Sequence, residues 1–156
     1  MNKTALIALG GNALSPKGEQ GNIYQQFSHT RESLAKIMEF VQRDYNVCIT
    51  HGNGPQVGDA LHRMDLTHEV ISPLPLGVCV AGTQGTIGYM IQQSLQNALR
   101  EEKIDREVVT LVTQVRVDKN DPSIAHPTKF IAVSYTHLRA HETLRYLECR
   151  LLLEKK

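Results

Sequence analysis

Two glycine-rich segments are the parts of this chain best suited to chemistry. Gly10-Gly11-Asn12 follows one short apolar run, and Gly52-Asn53-Gly54 follows a second. Glycine lets a backbone approach an anion without interference from Cβ. The N–H groups of such a turn can form a concave anion site, to which Asn12 adds an amide donor. The first segment therefore predicts binding of a transferring phosphoryl group, although Gly-Gly-Asn is also compatible with a plain strand-to-helix turn.

The second segment is the more informative one because its surroundings are distinctive. It lies within H-G-N-G-P-Q-V-G at residues 51–58, where Pro55 suits the first turn of a helix. In a doubly wound sheet, ligands collect at the carboxyl ends of strands. The two glycine loops could thus face one crevice, one holding phosphate and the other a small anionic acceptor. His51 taken alone is better interpreted as a structural imidazole.

Other candidate residues are weaker when taken singly. Lys129 lies in a proline-braced loop and could neutralise phosphate charge over a crevice, but a surface lysine is usually just solvated. Gly85 and Gly88 indicate close helix packing more than ligand approach. No dinucleotide or P-loop motif is present, and the cysteines at 48, 79 and 149 have no paired or metal-type spacing. The sequence predicts no metal site and a reduced, cytoplasmic chain.

The elements that must position these residues alternate between strand and helix. Apolar runs predict strands at Lys3–Leu9, Asn46–Thr50 and Val108–Val115, and 3.6-residue periodicity predicts helices over 24–43, 55–66 and 83–102. This alternation favours a mainly parallel α/β sheet with helices on both faces.

Composition limits the possible partners. The 156-residue chain is 41% hydrophobic and 21% charged, which is typical of a soluble globular protein. Its net charge of +1 gives no indication of a nucleic-acid or membrane-surface partner. No window approaches the ~18 apolar residues of a membrane-spanning helix, and the N-terminus is interpreted as a buried strand rather than a signal peptide.

The order of the motifs resembles one family closely. L-G-G-N-A-L, H-G-N-G-P-Q-V-G, Q-G-T-I-G-Y, V-T-Q-V-R-V-D, D-P and P-T-K occur in turn over residues 3–131. This order is similar to that of the carbamate kinases of the amino-acid kinase superfamily. The resemblance implies a three-layer α/β/α sandwich, a homodimer, and phosphate transfer between Mg-ATP and carbamate, with ADP and carbamoyl phosphate as the other pair, in carbamoyl phosphate catabolism.

The same resemblance assigns roles to individual residues. It places Gly10, Gly11 and Asn12 in the phosphoryl-transfer loop and the Gly52-Asn53-Gly54 segment on the acceptor side. It makes Lys129 a catalytic residue on a mobile loop that closes over the site.

The last two dozen residues depart from this pattern. Residues 133–156 have no clean periodicity, and they resemble the translation of a transposase-type sequencing adapter; a natural amphipathic C-terminal helix is the alternative. The family continues with Gly where this chain has Ala132, and joining the adapter inside that codon produces alanine. We therefore expect residues 1–132 to be the N-terminal part of an amino-acid kinase domain and 133–156 to be a foreign tail.

A truncated chain would lack the family's C-terminal half, which binds adenine and ribose. We therefore expect the chain alone to be inactive. Two alternatives stay open: another amino-acid kinase acting on a different acid, and a nonenzymatic fragment that binds small anions or self-associates.

Overall fold

The computed structural model describes residues 3–16, 18–19, 21–116, 118 and 120–122. Their elements in chain order are β1 (Thr4–Leu9), α1 (Gly11–Leu14), α2 (Ile23–Gln42), β2 (Asn46–His51), α3 (Gly54–Thr67) and α4 (Leu76–Glu101). The two N-terminal strands and the helices that follow them lie within a residue or two of the predicted positions. No helix in these ranges is long and apolar enough to cross a membrane.

The two strands form a parallel pair connected through α2. Their register runs from Thr4 opposite Asn46 to Leu9 opposite His51. Because side chains alternate along a strand, each strand shows a strict exposed–covered pattern. The covered positions lie on one face of the pair and the exposed positions on the other.

Local interactions define the ends of α2. Asn22 caps its N-terminus by accepting from the backbone N–H of Gln25, whose side chain accepts from the Asn22 N–H in return. After the helix, Asp44 takes a left-handed conformation with φ of 61°, and the chain turns into β2. The buried residues of α2 recur every three or four positions: Gln26, Thr30, Leu34, Ile37, Met38 and Val41.

The chain divides into two compact units, and the first contains both strands. It comprises Met1–Asn53 and Gly85–Leu111. Its core joins Leu14, α2 and the C-terminal part of α4, and the covered face of the strand pair packs against this core. The buried apolar residues are Leu14, Leu34, Ile37, Met38, Val41, Ile87, Met90, Ile91, Leu95 and Leu99, with Ile7, Leu9, Val47 and Ile49 packed on them from the strands.

The second unit is smaller in its described part. It contains Gly54–Gln84 together with residues from Val112 onward. Val57 and Leu61 of α3 pack against Cys79 of α4, and these three side chains form the buried cluster. Cys79 and the exposed Cys48 are both free thiols, so neither forms a disulfide.

Two sequence predictions need correction. The last helix begins at Leu76, seven residues before the predicted start, because the turns that carry Gly77 and Gly82 are helical as well. The predicted strand Val108–Val115 is wrong, since this segment joins no strand ladder. Its backbone pairs instead with α4 side chains: Val108 N–H donates to Gln96 Oε1 at 3.1 Å.

Candidate active site

The carboxyl ends of β1 and β2 lie side by side. Leu9 and His51, the last residues of the two strands, are register partners. Beyond them the Gly52 N–H donates to the Leu9 carbonyl oxygen at 3.1 Å, which extends the pairing into the second loop. The two glycine segments therefore leave the sheet at the same end and next to each other, as expected for parallel strands.

The first loop leaves an open space at Gly10. Its carbonyl accepts from the Ala13 N–H at 2.9 Å as the chain enters α1. A Cβ placed on Gly10 would meet no atom of the described residues within 4 Å, and its φ is not among the left-handed ones. Neither packing within the described part of the chain nor backbone conformation therefore accounts for glycine here. Close approach of a ligand to the backbone would account for it.

The second loop combines a histidine with a glycine and an asparagine. His51 is half-buried, and its Nδ1 lies 3.3 Å from the Gly52 carbonyl oxygen, which suits the structural role predicted for its ring. Gly52 is exposed and Asn53 half-buried. Gly54 begins α3 and belongs to the second unit. The ligand-binding roles of these residues stay predictions.

Gly85 and Gly88 differ in whether they show the close helix packing that the sequence predicts. A Cβ at Gly88 would stand 2.2 Å from Thr110 Cγ2, so the predicted close packing is confirmed there. Thr110 Oγ1 also donates to the Gly88 carbonyl at 3.0 Å. At Gly85 a Cβ would meet nothing within 4 Å, so close packing is wrong for that position.

Side-chain amides of α4 hold the segment that follows it, and sequence reasoning missed them. The Gln84 amide pairs with Thr113, accepting from its N–H at 2.8 Å and donating to its carbonyl at 3.3 Å. Gln96 accepts from Val108 and donates to the Arg106 carbonyl at 3.1 Å. Lys129 and the 133–156 tail lie outside the described residues. No local signal distinguishes such glutamines from solvated ones.

Among the residues that the structure describes, His29 has a displaced pKa. The Glu19 carboxylate accepts from His29 Nε2 at 2.8 Å, which raises the pKa of that histidine, and the charges of Glu19 and Glu32 add to the effect. This contact joins the loop after α1 to the surface of α2. Over the described ranges, no group of three or more His, Cys, Asp or Glu side chains could hold a metal ion.

Comparison with known proteins identifies the relatives of this chain. No protein-family model matches it. Carbamate kinase of Pyrococcus furiosus is 44% identical over 147 residues, which cover 93% of this chain and 47% of that protein. Carbamate kinase of Pyrococcus horikoshii is 46% identical over 86% of this chain and 44% of its own length. The first alignment extends beyond residue 132, so the predicted domain boundary stays a prediction.

Solved structures agree with the sequence relatives. Carbamate kinase from Giardia lamblia bound to AMP-PNP matches with a TM-score of 0.80 and 37% identity, over 84% of this chain and 46% of that protein. The match confirms a truncated α/β fold of the amino-acid kinase type. The chain spans a little under half the length of the relatives it matches. It is therefore a homologue of the carbamate kinases that corresponds to about half of a full-length member of that family.

Proposed function

We propose that a full-length protein carrying this sequence is a carbamate kinase, which transfers a phosphoryl group reversibly between ATP and carbamate. The observation that carries the proposal is the pair of glycine loops at the joined ends of β1 and β2, with the Gly52 N–H on the Leu9 carbonyl at 3.1 Å. The 44% identity to a carbamate kinase supports the choice of carbamate as acceptor.

The chemistry suits what these loops can supply. Phosphoryl transfer depends mainly on positioning and on neutralising charge, and it needs no nucleophilic side chain. In this proposal the open backbone at Gly10, with Gly11 and Asn12, receives the transferring phosphoryl group. The Gly52-Asn53-Gly54 segment holds the acceptor beside it. Lys129 supplies positive charge to the phosphoryl oxygens from its loop.

The nucleotide requires residues beyond those described. The relative bound to AMP-PNP supports an ATP-type nucleotide for the full-length protein. Mg²⁺ is usually bound through substrate phosphates and one or two carboxylates. In this proposal Mg²⁺ is held mainly by the phosphates of the nucleotide. A homodimer and a cytoplasmic location belong to the same proposal.

The test is a chimera of this chain with the remaining part of a full-length relative. The chimera would fuse residues 1–131 to the part of Pyrococcus furiosus carbamate kinase that follows the position aligned with residue 131. ATP formation from ADP and carbamoyl phosphate is then measured for the chimera and for the 156-residue chain. We expect turnover in the chimera only. A folded chimera that phosphorylates a different acid, or none, would contradict the proposal.

A variant of Gly10 connects the activity to the glycine loop. Because a Cβ at Gly10 would meet no described atom within 4 Å, Gly10→Ala should leave the urea midpoint of the 156-residue chain unchanged. In the chimera, the same variant should lower kcat/KM at least tenfold if the phosphoryl group uses that space. Gly82→Ala is the matched control, since its Cβ also meets nothing within 4 Å and it lies on α4. Equal turnover in both variants would show that Gly10 has no ligand role.

A further inference from the structure

Within the described part of the chain, one face of the strand pair has no cover. Leu6 is 71% exposed, and Ala8, Cys48 and Thr50 are exposed on the same side. The opposite face packs on the core of the first unit. Parallel sheets in proteins are almost always covered on both faces, and an isolated two-stranded sheet is marginally stable in water. The exposed face therefore has the character of an interior surface.

The outward positions carry no charge. They are Thr4, Leu6, Ala8, Asn46, Cys48 and Thr50. Natural proteins protect exposed sheet edges with charged side chains, especially lysine. A face without such residues suits an uncharged, mainly apolar polypeptide layer. It does not suit a polyanion or a charged membrane surface.

A groove continues this face at the edge of β1. It is lined on one side by β1 residues 6–9 and on the other by Glu32, Ser33, Lys36, Ile37 and Phe40 of α2. In the described part of the chain, β1 pairs with β2 alone, so its other edge can still accept a strand. Phe40 is 40% exposed and forms part of the apolar wall that such a strand would meet.

We propose that this surface, the outward face of β1 and β2 with the β1 groove, docks the other half of a carbamate kinase as a separate polypeptide. The relatives have more than half of their residues outside the matched part. The outward strand positions are uncharged, the free edge of β1 is open, and Glu32 and Lys36 place one charge of each sign at the groove. This surface is preformed on a helix-packed core. The two halves should therefore associate in trans, as in a split enzyme. Only the activity readout rests on the proposed function; association does not.

In the experiment, the affinity-tagged 156-residue chain is co-expressed with the part of Pyrococcus furiosus carbamate kinase that the chain does not match. Co-purification at a 1:1 ratio measures association, and ATP formation from ADP and carbamoyl phosphate is measured on the same sample. Leu6→Asp places a charge on the docking surface at a position that is already exposed in the chain. Leu66→Asp is the matched control, because Leu66 is also 71% exposed but lies on α3.

We expect the original chain and Leu66→Asp to co-purify with the partner, and Leu6→Asp to retain at least tenfold less of it. Amide exchange at Leu6–Leu9 should slow when the partner is bound. Association without turnover would support the docking surface and count against the proposed function. The inference is overturned by absence of association when the covalent chimera folds, by equal loss in both variants, or by self-association of the chain through the same face.

Discussion

The contact between Gly88 and Thr110 allows a quantitative test of how α4 meets the segment after it. In Gly88→Ala the new Cβ would lie 2.2 Å from Thr110 Cγ2, whereas ordinary carbon contacts begin near 3.4 Å. Either one of the two backbones moves by about 1 Å, which stretches the 3.0 Å hydrogen bond from Thr110 to the Gly88 carbonyl beyond bonding distance, or Thr110 rotates and gives that bond up. Either response costs stability.

The magnitude follows from opposing terms. Overpacking a tight contact costs about 1–3 kcal/mol, and the lost hydrogen bond costs about 1 kcal/mol more. Replacing glycine by alanine inside a helix returns about 1 kcal/mol. The net destabilisation should be about 1–3 kcal/mol. Gly82→Ala, which has no neighbour within 4 Å, keeps only the favourable helix term and should stabilise by up to about 1 kcal/mol.

Pulse proteolysis across a urea series measures these changes in dilute lysate. With a slope of ~1–3 kcal/mol/M for a small protein, Gly88→Ala should lower the midpoint by roughly 1 M, and Gly82→Ala should raise it slightly. Adding Thr110→Ala to Gly88→Ala removes the clashing methyl, so the double variant should recover at least ~1 kcal/mol relative to additivity. Equal midpoints for Gly88→Ala and Gly82→Ala, or no recovery, would refute the packing argument.

Three further predictions concern charged residues. Arg106 donates to the Tyr45 carbonyl and to the Asp44 carboxylate, which is 77% exposed. Arg106→Ala should therefore lower the free energy of unfolding by about 1–3 kcal/mol, and Asp44→Asn should lower it by less than ~1 kcal/mol. A lower urea midpoint for Asp44→Asn than for Arg106→Ala would contradict this order. His29 should titrate by NMR above its ordinary pKa, and Glu19→Gln should lower that pKa. Because the pKa of His29 is raised in the folded chain, its contact with Glu19 stabilises the fold fully below the ordinary pKa, and this stabilisation is lost as pH rises through the raised pKa. Identical His29 titrations in the original chain and in Glu19→Gln would count against this contact. In the chimera, Lys129→Ala should lower kcat/KM, because it removes about 2–4 kcal/mol of transition-state stabilisation. Unchanged kinetics would show that Lys129 is only a surface lysine.

The sequence is most informative where local pattern and packing agree. The strands at Thr4–Leu9 and Asn46–His51 and the helix Ile23–Gln42 were predictable, because apolar runs and 3.6-residue periodicity match the faces that are buried. The adjacency of the two glycine loops follows from parallel pairing and is confirmed by the Leu9–His51 register.

Tertiary contacts decide the parts that were missed. The first turns of α4 contain Gly77 and Gly82, which weaken the helical signal, but burial of Cys79 against α3 favours the helix. The Val108–Val115 segment has strand-like residues, yet Gln96 and Gln84 take up backbone groups that a ladder would use. Those glutamines lie 12 and 29 positions away, beyond the range of any local pattern.

The Arg106 contact has a consequence for the order of events during synthesis. The guanidinium that holds the α2–β2 turn is encoded 61 residues after the Tyr45 carbonyl it binds. At ~5–20 residues per second, a ribosome takes roughly 3–12 s to add that stretch. Both strands and α2 are complete by His51, long before Arg106 is made. A nascent β1–α2–β2 segment that folds before then has to hold its turn, including the left-handed Asp44, without the Arg106 side chain that later binds it.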